Sequence, residues 1–119
     1  MIKGLHAMFY TPKAAEARAF MRDVLGFPCT DVGDGWLIFD MPEADLGFHP
    51  SKGEVAHDVS FYCEDIHGTV SELKEKGVEF LGEVEDQGFG NVIDFLMPGG
   101  LKVMLYEPHY TKEKVSSDG

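Results

Sequence analysis

DVSFYCEDIHGTVSELKEKGVEF, residues 58–80, carries a strand, a helix start, a helix stop and a second strand in succession. Val59, Phe61 and Cys63 fall two apart, as do Asp58, Ser60 and Tyr62, the period of a strand whose side chains alternate between two faces. Asp65 is a helix-capping residue type, Ile66, Val70 and Leu73 recur at helical spacing, and Gly77 is a natural stop. VEFLGEV (78–84) then reads as a strand.

Downstream, EDQGFGN (85–91) reads as an acidic, glycine-containing loop. VIDFLMPGGLKVMLYE (92–107) reads as a hairpin turning at Pro98-Gly99-Gly100. Upstream, the same order occurs once more. GLHAMFYT (4–11) alternates as a strand, and Thr11-Pro12 supplies an N-cap and a proline at the first helical position. Ala17, Phe20, Met21, Val24 and Leu25 keep helical spacing up to Gly26. FPCTDV (27–32), GWLIFDM (35–41) and ADLGFH (44–49) follow as short strands, separated by Gly33-Asp34-Gly35 and Met41-Pro42-Glu43. Gly26 and Gly77 lie 51 positions apart, and Met41-Pro42 and Met97-Pro98 lie 56 apart. One supersecondary unit used twice accounts for both offsets.

The expected fold class is therefore α+β: two βαβββ modules, residues 4–49 and 56–108, within one domain at 1–110. Two such sheets can curve around a shared cavity. Residues 111–119, TKEKVSSDG, lack an apolar pattern and read as a mobile tail.

The 119 residues suffice for a hydrophobic core, and 44% hydrophobic content is ordinary for a globular protein. A net charge of −11 argues against nucleic acid and anionic membrane surfaces as partners, because phosphate binding needs clustered Lys and Arg. Cys29 and Cys63 stand in apolar settings without paired spacing, so free thiols are expected. With no signal-peptide core and no apolar run of about 18 residues, a soluble cytoplasmic protein is expected.

GLHAMFYT…FMRDVLGF, the 58–80 stretch and MPGGLKVMLYEP (97–108) together resemble the vicinal oxygen chelate superfamily. That group includes glyoxalase I, extradiol dioxygenases and bleomycin-resistance proteins. The resemblance implies a metal site with one ligand from the first and one from the last strand of each module. Fe(II), Mn(II), Ni(II) or Zn(II) would suit such a His-plus-carboxylate site, as a Lewis acid or oxygen activator.

The first slot falls on His6, with Met8 and Tyr10 on the same face; a hydrogen-bonded core histidine is the plain alternative. The last-strand slot of the first module falls on Gly47, which cannot ligate, and His49 two residues on is a substitute. The opening slot of the second module falls on His57 or Asp58. Counting back from the glycine stops favours His57, whereas the alternation of Val59, Phe61 and Cys63 turns Asp58 towards the cavity. A β-bulge would turn both inward. The final slot, where the superfamily has its characteristic glutamate, holds Met104, whose thioether suits a pocket wall better than a hard ion. Tyr106 shares its face, and Asp94 joins that face if the hairpin turn holds three residues. Trp36 and Tyr62 complete the expected pocket lining.

The resemblance thus implies a small-molecule enzyme, dioxygenase- or lyase-like, using a divalent metal with an unusual ligand set. The alternative is a non-catalytic binding or sequestration protein of the bleomycin-resistance type. A homodimer is also implied, since curved sheets leave edges to cover.

Overall fold

Residues 90–97 and 101–108 form the longest strands among the described residues. The computed structural model describes residues 1, 5–48 and 50–111. Its elements run α1 (Ala14–Asp23), β1 (Cys29–Asp31), β2 (Leu37–Phe39), β3 (Ser60–Tyr62), α2 (Ile66–Glu75), β4 (Phe80–Asp86), β5 (Gly90–Met97) and β6 (Leu101–Pro108). They fall into two units, residues 1–59 with 97–101, and residues 60–96 with 102 onward.

In the first unit, α1 starts two residues later than Thr11-Pro12 suggests, with Lys13 at the N-cap and no side-chain cap. Thr11 is engaged elsewhere. Its Oγ1 accepts from the Lys13 amide at 3.2 Å and donates to the Gly99 carbonyl at 2.9 Å. Gly99 has φ 90°, and a Cβ there would collide with the Thr11 side chain. Only glycine tolerates both constraints. At the other end, Val24 and Leu25 amides return to the Phe20 carbonyl, and Gly26 closes the helix as expected.

The antiparallel β1–β2 ladder pairs Cys29 with Phe39 and Asp31 with Leu37. Its turn is closed by the Trp36 amide on the Gly33 carbonyl at 2.9 Å. Both strands contract to three residues. The strands expected at 4–11 and 44–49 do not form among the described residues. The second stretch lies between Pro42 and Pro50 and holds Asp45 and Gly47, all weak strand formers.

In the second unit a four-stranded sheet has the order β3-β6-β5-β4, with β3 parallel to β6 and β4 antiparallel to β5. Asp65 caps α2 as expected, its Oδ1 accepting from the Gly68 amide at 3.1 Å. Ile66 and Val70 of α2 are buried, together with Val78, Ile93, Phe95, Val103 and Leu105. Phe95 sits at the centre, 1% exposed, with the rings of Phe61 and Phe80 at 6.2 and 5.9 Å. A fully buried aromatic of this kind is worth several kcal/mol (about 3–5 on truncation).

The expected loop at 85–91 is shorter than the sequence suggests. β4 runs to Asp86, β5 begins at Gly90, and the Gln87 amide on the Gly90 carbonyl closes a tight turn. β3 is likewise only Ser60–Tyr62, so His57 and Asp58 precede it. Cys29 and Cys63 are unpaired and part-buried, and burial pushes the Cys63 thiol up.

Candidate functional site

Alternating burial splits the second sheet into two faces. Phe61, Ile93, Phe95, Val103 and Leu105 face inward. The register pairs Ser60 with Met104 and Tyr62 with Tyr106, and pairs Leu81 with Asp94. These residues therefore share the opposite, open face. The turn at Pro98-Gly99-Gly100 holds three residues, since β5 ends at Met97 and β6 resumes at Leu101. This is the condition under which Asp94 joins the face of Met104 and Tyr106.

The open face continues into aromatic residues that the sequence pattern did not single out. Phe89 lies 5.8 Å from the Tyr106 ring, and Tyr110 lies 6.4 Å from it on centroids. Gly90 makes this possible: a Cβ there would strike the Tyr106 ring and come within 2.6 Å of the Glu107 carbonyl. The signal available in sequence was Phe89 itself, a large apolar residue flanked by two glycines in a polar stretch.

Glu107 sits behind this face as a clasp. Its Oε2 accepts from the Ile66 amide at 2.9 Å, and its Oε1 accepts from Asn91 Nδ2 at 2.7 Å. It thereby ties β6 to the first turn of α2 and to β5. The Ile66 amide, and then Asn91, hold its carboxyl below the ordinary carboxylate value, since both bonds favour the ionised form.

Of the other expected site residues, His6, Met8, Tyr10 and Gly47 are exposed and lie outside any strand. His57 and Asp58 are both exposed, ahead of β3. Trp36 is half-exposed and carries the Arg18 guanidinium 4.4 Å above its ring, a cation–π contact within the first unit. His49 lies outside the described residues. Among the described residues no group of three His, Cys, Asp or Glu side chains is placed to hold a metal ion. The two last-strand slots that the resemblance assigns hold Gly47, which has no ligating side chain, and Met104, whose thioether is a poor ligand for a hard divalent ion. A depression of about 340 Å³ lies between α2 and β4, lined by His67, Val70, Lys74 and Glu83 among others, away from the aromatic residues. None of the helices in the described residues is long and apolar enough to cross a membrane.

The fold has counterparts of known structure. TnmS3, an antibiotic binding protein from Streptomyces sp. CB03234, is 19% identical, with TM-score 0.63 over 91% of this chain and 99% of that one. A superfamily member from Sphaerobacter thermophilus DSM 20745 is 23% identical, with TM-score 0.65 over 89% and 98%. Lactoylglutathione lyase from Agrobacterium tumefaciens is 19% identical, with TM-score 0.61 over 88% and 96%. At these identities the likeness concerns the fold alone. An uncharacterized Bacillus subtilis (strain 168) protein, YetH, is 41% identical over 49 residues, a match spanning 41% of either chain. The family model described as Glyoxalase/Bleomycin resistance protein/Dioxygenase superfamily matches residues 4–105, nearly the whole of the paired-module pattern, and the chain belongs to that superfamily.

Proposed function

We propose that this protein binds a small molecule without transforming it, in the manner of the superfamily's sequestering members. The donor set carries this reading. The two last-strand positions hold glycine and methionine, and the second sheet offers aromatic rings, a thioether and Asp94 where a metal enzyme would need converging carboxylates and imidazoles. The antibiotic-binding neighbour supports it; the lyase neighbour supports the enzymatic alternative.

Untagged protein loaded in turn with Fe(II), Mn(II), Ni(II) and Zn(II), then assayed on a catechol and on the methylglyoxal–glutathione adduct, decides between them. The binding reading expects no stoichiometric ion and no turnover. One ion per chain, lost in His6→Ala together with turnover, overturns it.

The protein is further proposed to act as a homodimer. Leu5, Tyr10, Leu46, Phe48 and Val55 are exposed, and Phe48 and Val55 at 92% and 100% are nearly fully so. All but Val55 lie in segments with strand patterning and no strand among the described residues, surface that a second copy would cover. Light scattering at the mass of two chains is the expected result. A monomer at high concentration would exclude it.

A further inference from the structure

We propose that the depression between α2 and β4 binds a small zwitterion, an amino acid with an apolar side chain, at a site separate from the open face of the sheet. The depression holds about 340 Å³ and is floored by Val70 and Ile93, both buried. Ile93 faces inward, so the depression lies on the helix side of the sheet, whereas Asp94, Met104 and Tyr106 stand on the other. Its volume is at the small end of ligand sites, which run to about 300–1,000 Å³.

A break in the ladder shapes it. Leu81 pairs with Asp94 and Glu85 with Val92, so Gly82, Glu83 and Val84 together stand opposite Ile93 alone. Gly82 takes φ 79°, a left-handed conformation that glycine adopts without strain. In a regular strand, neighbouring side chains leave on opposite faces. Here Glu83 and Val84, adjacent in sequence, both line the depression. The bulge thus re-aims a carboxylate to the rim of an apolar floor.

The helix supplies the opposite charge. His67, Ser71 and Lys74 are four and three residues apart, so one face of α2 presents all three to the depression. Among the described residues no ion pair joins Lys74 to Glu83, and both charges are left open to a ligand. A ligand carboxylate meets Lys74 and Ser71, and its ammonium meets Glu83. The apolar side chain then lies on Val70 and Ile93, in the direction of His67, which stands about 10 Å from Lys74 along the helix axis. A zwitterion has no net charge, so the −11 of the chain does not repel it as it would a simple carboxylate.

Leucine, leucinamide and isocaproate, titrated into isotope-labelled protein and followed by amide NMR shifts, test this. Leucinamide lacks the carboxylate, and isocaproate lacks the ammonium. Leucine is expected to shift the amides of Ser71, Lys74 and Glu83 and to bind about tenfold more tightly than either. Lys74→Met and Glu83→Gln, both at exposed positions, are each expected to weaken leucine about tenfold. Lys74→Met should leave leucinamide unchanged, and Glu83→Gln should leave isocaproate unchanged, a pattern that a general loss of structure would not give. No shift of these amides at the limit of leucine solubility overturns the site, as do shifts confined to the open face. Equal affinity for the three ligands, or full leucine affinity in either variant, overturns the zwitterion as its ligand.

Discussion

The two modules share one order of sequence signals, yet among the described residues the first forms α1, β1 and β2 where the second forms β3, α2, β4, β5 and β6. In the second, α2 buries Ile66 and Val70 beside four strands, two of them eight residues long. In the first, α1 buries no side chain, and the only ladder among the described residues pairs two three-residue strands. Helical spacing and strand alternation are present in both. What differs is the turn chemistry and the strand content around it. Pro98-Gly99-Gly100 joins VIDFLM to LKVMLYE, whereas Met41-Pro42-Glu43 joins GWLIFD to ADLGFH, with a second proline at its end. Alternation selects a face, but a ladder also needs a partner strand able to donate and accept along its length.

The core makes the largest test of this contrast. Phe95→Ala is expected to destabilise the protein by about 3–5 kcal/mol in urea unfolding, as a fully buried ring is lost. Phe20→Ala on α1, part-buried, should cost less than half as much. Equal losses would show that the first module has a core of its own. Gly90→Val should cost about 2–3 kcal/mol by driving Tyr106 off the β5 backbone, with a matching change in tyrosine fluorescence.

Glu107→Gln probes the clasp, at about 1 kcal/mol near neutral pH. The sign follows from linkage. Its folded carboxyl titrates below the ordinary value of 4.5, so its contribution is complete above that value and is lost as pH falls through the lower, folded one. The difference between variant and wild type should therefore shrink in acid; a gap independent of pH would assign the effect to packing. The smallest contrast lies at the helix starts. Asp65→Ala should cost about 1 kcal/mol for its lost cap, and Lys13→Ala close to nothing, since Lys13 makes no cap bond.

The same contrast explains how much could be read from sequence. The stretch 58–80 and the final hairpin carry their own caps, stops and turn, all local signals, and the structure follows them closely. Residues 4–11 and 44–49 carry only alternation, which does not specify a partner, and the expected strands do not form among the described residues there. For the site, Tyr62, Asp94, Met104 and Tyr106 share a face because period-2 alternation and a three-residue turn determine it. Periodicity does not point to Phe89 and Tyr110, because their placement depends on the turn at 87–89 and on Gly90. Glu107 was legible only as a strand-end charge; its two partners lie 41 and 16 positions away.

The central claim is that the protein binds its small molecule without a resident metal ion. Metal analysis of untagged protein loaded with Fe(II), Mn(II), Ni(II) or Zn(II) and then dialysed tests this most directly. The account predicts no stoichiometric ion. One ion retained per chain, and lost in His6→Ala, would contradict it.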